Sequence, residues 1–326
     1  MKLPSWAIKA LAIAGTYVVV LVLINAGIID DFIQITMVTI GINIILAVSL
    51  NLITGFTGQF SLGHAGFMAI GAYATGLTTR AFPTLWGFLL GLLLGAVIAA
   101  TVGLLIGLPT LRLRGDYLAI ATLGMAEIIR VLLVNLEFTG GAAGLSYLPQ
   151  FVDWTWLFVF TVGTVVLIRN FLRSAPGRDL IAVREDEIAA SSIGVNATKA
   201  KTLAFVVGAF FGAIAGGMYA SYFYSIKPET FGFLKSIDIL IIVVLGGMGS
   251  LSGSVIAAIL LAVVSTLLQP FPELRMVIYG VILVVIMVFR PQGLLGDREL
   301  TLAALRRVVP KRFRVVGEAP AEEAKP

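Results

Sequence analysis

Long apolar runs separated by short polar intervals dominate the chain. Runs at about 6–28, 34–53, 85–108, 117–136, 154–172 and 203–224 are each long enough to cross a bilayer as one helix. Another continues to about residue 79 after the interruption TGFTGQFSLGHAG. The last third holds shorter runs at about 237–244, 254–268 and 276–289, the first ended by LGGMGSLSG. This pattern predicts an all-α polytopic membrane protein. Its transmembrane domain covers 1–310, and a disordered cytoplasmic tail covers 311–326. The first run is too long for a cleaved leader, so it is expected to stay as a first span.

The polar intervals assign sides. Asp30 and Asp31 follow the first run with no basic residue nearby, which places that end outside. Arg112 and Arg114 mark a cytoplasmic turn, whereas 137–153 carries no Lys or Arg and reads as external. Asp116 is a candidate cap for the run that follows it. Trp154 and Trp156 fit an interfacial anchor. With Arg306, Arg307, Lys311, Arg312 and Arg314 in the tail, both termini are expected inside. The number of crossings is then even: ten if both short late segments cross, eight if they are re-entrant.

One interval is longer and far more polar. Residues 173–201 carry nine charges: Arg173, Arg178, Asp179, Arg184, Glu185, Asp186, Glu187, Lys199 and Lys201. Leu180, Val183, Ile188 and Ile193 are spaced roughly like one stripe of a short helix. Pro176 and Gly177 break the preceding helix, Asp179 suits a first turn, Gly194 can end the segment, and Asn196 or Thr198 can cap the next helix. A water-exposed amphipathic helix between two membrane halves suits docking to a partner, although solvation alone explains a charged loop as well.

Composition narrows the chemistry. The chain has 326 residues, of which 59% are hydrophobic and 13% charged, and no cysteine. A soluble core cannot absorb that much apolar surface, so lipid is the solvent. Disulfides, thiolate metal sites and cysteine nucleophiles are excluded, and a single histidine excludes a multi-histidine metal site. The net charge of +5 reflects membrane topology rather than nucleic-acid binding. No P-loop, zinc-protease motif or nucleophile elbow is present. Transport fits better than catalysis, with energy drawn from an ion gradient or a partner.

Two glycine-rich interruptions form a weak internal repeat. Gly58, Gln59, Ser61 and Gly63 correspond to Gly249, Ser250, Ser252 and Gly253, with Gly247 just before the second set. Broken helices free backbone groups at membrane depth, which is tolerated only around buried or water-filled space. Paired breaks in two halves therefore point to a translocation pathway including Gly58, Gln59, Ser61, Gly63, His64, Gly247, Gly249, Ser250 and Ser252. Tight glycine turns between packed helices account for the same pattern. His64 suits either a ligand contact or a packed neutral imidazole. Glu127 and Arg130, three residues apart within one run, form an intramembrane ion pair that either lines a pathway or holds the bundle. Asn43 and Asn51 suit interhelical hydrogen bonds, and Gly208 with Gly212 suits close helix packing.

Several long stretches resemble one family, the permease subunits of bacterial ABC importers for branched-chain amino acids, in particular the longer, M-type permease. They are NLITGFTGQFSLGHAGFMAIGAY from Asn51, RGDYLAIATLGMAEIIR from Arg114, TGGAAGL from Thr139, REDEIAASSIGVN from Arg184 with KTLAFVVGAFFGAIAGGMYA after it, VLGGMGSLSG from Val244, and FRPQGLLG from Phe289. The family pattern carries a more polar residue within the loop that here reads TGGAAGL.

The resemblance implies a second, H-type permease, two cytoplasmic ATPases and an extracytoplasmic binding protein, in a bacterial inner membrane. It implies that ATP and magnesium are held by the ATPases and that this chain carries no cofactor. It also implies that residues 178–195 couple to the ATPases, through Arg178, Leu180, Val183, Arg184, Glu185, Asp186, Glu187, Ile188, Gly194 and Val195. The expected mechanism is alternating access. Related systems carry urea or short amides, and a stand-alone ion-coupled carrier for small hydrophobic amino acids is the contrasting expectation.

Overall fold

The computed structural model describes residues 5–110, 115–290 and 292–296. The basic tail cluster, the 311–326 tail, Lys2, Arg112 and Arg114 lie outside the described residues. The chain forms α1 (Ser5–Asn25), α2 (Asp31–Thr57), α3 (His64–Ala81), α4 (Leu85–Thr110), α5 (Asp116–Asn135) and α6 (Trp154–Arg173). There follow α7 (Ala175–Glu185), α8 (Glu187–Ser192), α9 (Ala197–Ala220), α10 (Phe233–Gly246), α11 (Leu251–Leu267) and α12 (Pro272–Phe289). Two-residue strands β1 (Leu145–Ser146) and β2 (Ser225–Ile226) pair antiparallel.

The predicted runs and the helices coincide closely. α2, α4, α5, α6 and α9 are long and apolar enough to cross a membrane on their own. Outside the charged loop, ten α-helices are described, matching the larger of the two expected numbers if each crosses.

α2 is the central post. Every residue from 41 to 57 is buried, as expected for a helix that is apolar all round and has neighbours on every side. α9 packs along it, and the small residues predicted for close packing do that work. A methyl on Gly208 would overlap Ile53 of α2, and one on Gly216 would overlap the Met68 carbonyl of α3. Gly71 of α3 meets the Ala213 backbone in the same way. Close backbone approach through small residues is how helices associate where lipid supplies no hydrophobic drive. By contrast α4 shows Leu90, Leu93, Val97 and Leu105 on its outer face, an apolar surface suited to lipid.

The bundle has two distinct ends. At one, the sheet of β1 and β2 joins the α5–α6 and α9–α10 connections. At the other lie α7 and α8. Two helix boundaries differ from expectation. Gly115, with φ +56°, precedes α5, so Asp116 is its first helical residue rather than its cap. Ser174 separates α6 from α7 and accepts a hydrogen bond from Gly177 N–H, so Pro176 lies inside the first turn of α7. Asp179 consequently falls beyond that turn. A serine cap started the helix earlier than the Pro-Gly signal suggested.

Candidate functional site

The first glycine-rich interruption folds back into the bundle. α2 ends at Thr57, and Gly58 turns the chain with φ +68°. Residues 58–63 are non-helical, and α3 begins at His64. His64 Nε2 lies 2.7 Å from Ser49 Oγ, and the Ser49 hydroxyl donates to the Leu46 carbonyl at 3.0 Å. The imidazole is therefore the donor to Ser49. Ser49 stands eight residues before Thr57, about 12 Å back along α2, so the interruption climbs that far before α3 starts. Leu62 N–H reaches Thr122 Oγ1 of α5 at 3.0 Å on the way.

The second interruption lies at the same level on the other side of α2. α10 ends at Gly246, and Gly247 and Gly249 take φ of +109° and +95°. Ser250 caps α11 by accepting from Gly253 N–H at 3.1 Å. Asn51 holds this turn. Its Nδ2 donates to the Ser250 carbonyl (2.9 Å) and to Ser254 Oγ (2.7 Å), and its Oδ1 accepts from Gly249 N–H (2.9 Å). Ser49 and Asn51 are two residues apart, roughly 200° around the helix. One turn of α2 thus anchors both breaks.

The repeat does not extend to the caps. Ser250 caps α11, whereas Gly63 precedes α3 with no side-chain cap. Ser61 is buried two residues further back, and Ser252 lies within the first turn of α11.

The charged loop departs from the single helix expected. Asp186 interrupts it and caps α8, its Oδ1 accepting from Ile188 N–H (2.8 Å) and Ala189 N–H (3.0 Å). The apolar stripe divides there. Leu180 and Val183 are buried against the bundle, while Ile188 is 75% and Ile193 79% exposed. Gly194 follows α8 with φ +92°, and Asn196 rather than Thr198 caps α9 through Lys199 N–H at 2.9 Å. Glu187 pairs with Lys201 at 2.8 Å, and Arg178 reaches back to the Arg173 carbonyl at 3.0 Å. Glu185 is exposed and Val195 half-buried.

Arg184 joins the loop to the first interruption. Its Nη1 donates to the Gly55 carbonyl in the last turn of α2 at 2.9 Å. Gly55 in turn lies directly against the Asn51 clamp, where a methyl would overlap both Asn51 Oδ1 and Gly249 N. Arg184, Gly55, Asn51 and the α10–α11 turn therefore form one contiguous set of contacts.

Arg184 also borders two cavities. One of about 440 Å³ is lined by Thr54, Gly58, Phe60 and Met248, and one of about 260 Å³ by Gln59, Glu185, Glu187 and Lys201. Of the predicted pathway residues, Gly58 and Gln59 border these cavities. Ser61, Gly63, His64, Gly247, Gly249 and Ser250 are packed inside the chain, and Ser252 is half-buried. Both amide atoms of Gln59 are buried without a partner among the described residues.

On α5, Arg130 Nε meets Glu127 Oε2 at 2.7 Å, with both side chains about one-third exposed. Asn43 accepts from Lys235 Nζ of α10 at 3.4 Å. Among the described residues no group of acidic or histidine side chains could hold a metal ion.

Sequence reasoning found Asn51 only as an amide in an apolar helix. Its partners are mostly backbone groups, which leave no residue-type signature. Ser49 as the partner of His64 was missed, and the serine at that position carried no distinguishing signal.

A family model described as "Branched-chain amino acid transport system / permease component" matches residues 32–287. The chain is 38% identical over 289 residues to the high-affinity branched-chain amino acid transport system permease protein LivM of Salmonella typhimurium, covering 78% of this chain and 68% of that protein. It is 37% identical to LivM of Escherichia coli over the same shares. It is also 31% identical over 153 residues to the permease protein LivH of Salmonella typhimurium, covering 46% of this chain and 48% of that protein. No solved structure gives a significant match.

Proposed function

The chain belongs to the branched-chain amino acid transport system permease family, and from that membership we propose that it is a translocation subunit of an ATP-driven importer. Paired with a second permease in a bacterial inner membrane, it forms a path for branched-chain amino acids. Two ATPases at the α7–α8 end bind ATP and magnesium and hydrolyse the nucleotide, and a binding protein delivers substrate at the sheet end. This chain itself is non-catalytic. An apolar amino acid needs few polar contacts in transit, which suits a site with so few charges inside the membrane.

The observation that carries the mechanism is the 2.9 Å hydrogen bond from Arg184 Nη1 to the Gly55 carbonyl. It ties the loop that meets the ATPases to the last turn of α2, which lies directly against the Asn51 clamp. The division of the loop suits this role: Ile188, Ile193 and Glu185 face outward to a partner, while Leu180 and Val183 bind the loop to the bundle. Closure of the ATPases displaces α7 and α8. Arg184 carries the displacement to Gly55, and the Asn51 clamp passes it to the α10–α11 turn. Alternating access follows when the two permeases rock about these anchored breaks.

Arg184→Gln tests the linkage in reconstituted vesicles holding the full complex. The expected result is ATP hydrolysis within about twofold of the parent and amino-acid uptake reduced at least tenfold, since a charge-assisted hydrogen bond is worth about 1.5–3 kcal/mol. Uptake and hydrolysis that both match the parent would remove Arg184 from the coupling route.

A further inference from the structure

We propose that Glu127 and Arg130 on α5 bind the zwitterionic backbone of the transported amino acid, the carboxylate receiving its ammonium and the guanidinium its carboxylate. This rests on the reading of the chain as an amino-acid permease and gives that reading a substrate contact.

The ion pair is positioned for a ligand. Glu127 and Arg130 lie about 17 and 21 Å along α5 from its first residue, well within a span. Their one direct contact, Nε to Oε2 at 2.7 Å, uses one nitrogen and one oxygen. Among the described residues, Glu127 Oε1 and the terminal nitrogens of Arg130 have no other hydrogen-bond partner. What remains is an acceptor beside a planar pair of donors. An α-amino acid presents the complementary pair, a donor ammonium two bonds from an acceptor carboxylate. Arginine suits that carboxylate because its donors sit in a fixed fork.

The surroundings fit as well. Each side chain is about one-third exposed on a membrane helix, a position that lipid disfavours and a polar pathway accommodates. Gly124, one turn before Glu127 on the same face, is the one glycine of α5. Beyond its chain neighbours and its own helix backbone, no described atom lies within 4 Å of where its Cβ would stand, so packing against other elements does not require it. Mid-helix glycine costs about 1 kcal/mol relative to alanine, and here it leaves a notch. Ile128 and Val131, about half exposed, form its apolar edge. A branched aliphatic side chain in that notch places its backbone at Glu127 and Arg130. The aliphatic stem of Arg130 rests 3.7 Å from the Cβ position of Gly232, which holds the guanidinium near the sheet end where substrate arrives.

The test uses the complete complex in vesicles with saturating loaded binding protein, and reads leucine uptake and stimulated ATP hydrolysis together. Glu127→Gln and Arg130→Gln are expected to lower uptake at least tenfold with hydrolysis within about twofold of the parent. The exchange Glu127→Arg with Arg130→Glu restores an ion pair but points a zwitterion away from the notch, so uptake should stay low. Recovery of uptake in the exchange variant would show a pair that only holds the bundle, and overturn the proposal. If the charge variants fail to assemble, Gly124→Leu decides. It fills the notch without altering charge, and unchanged leucine uptake in it overturns the proposal. A parent complex that hydrolyses ATP yet imports no zwitterionic amino acid refutes the underlying permease reading instead.

Discussion

Asn51 is where single atoms matter most. Its carboxamide satisfies Gly249 N–H, the Ser250 carbonyl and Ser254 Oγ in a fully buried turn. Asn51→Leu fits the volume but strips Gly249 N–H of its partner, an orphaned buried donor costing about 1–3 kcal/mol, while the Ser250 carbonyl and Ser254 Oγ keep their bond to each other. The expected outcome is destabilisation by about 1–3 kcal/mol, seen as a lowered thermal unfolding midpoint of the purified permease pair. An unchanged midpoint would mean that water or repacking replaces the amide. At this scale the sequence told part of the story. An asparagine in an apolar run announces an interhelical bond, yet nothing in residue types says that its partners are backbone atoms some 200 positions away. Arg184 was equally concealed. It reads as one of nine loop charges, and only its distance to a carbonyl of α2, 129 positions away, separates it from the rest.

Among the elements, α7 and α8 show what periodicity can and cannot decide. The spacing of Leu180 and Val183 signalled the buried face of α7, but the stripe expected to continue through Ile188 and Ile193 does not. Spacing could not reveal that Asp186 would cap a second helix and turn the later residues outward, because a capping carboxylate and a solvated one look alike in sequence. The division makes a prediction. Ile188→Asp or Ile193→Asp should leave the permease folded while reducing copurification of the ATPases several-fold. Leu180→Asp should instead abolish accumulation of folded permease, since Leu180 is fully buried. Identical behaviour of the three variants would show that the two parts of the loop do not play separate roles. The glycine-rich breaks were legible for a sturdier reason. Glycine at positive φ is a backbone requirement that other residues meet poorly, and Gly58, Gly247 and Gly249 all show it.

The whole molecule is a bundle whose loop end and helix breaks are joined through the lower turns of α2. The spans were readable because lipid imposes length and apolarity directly on sequence. The route between loop and breaks was not, since it depends on α2 being buried on every side and on which of its turns meets which neighbour. On this reading the chain transports only as part of an ATP-driven assembly. The most direct measurement is leucine uptake into vesicles carrying the two permeases, with the ATPases and binding protein supplied or withheld. Uptake is expected to require both the ATPases and ATP, with none from this chain alone under any imposed ion gradient. Gradient-driven accumulation by the chain alone would contradict it.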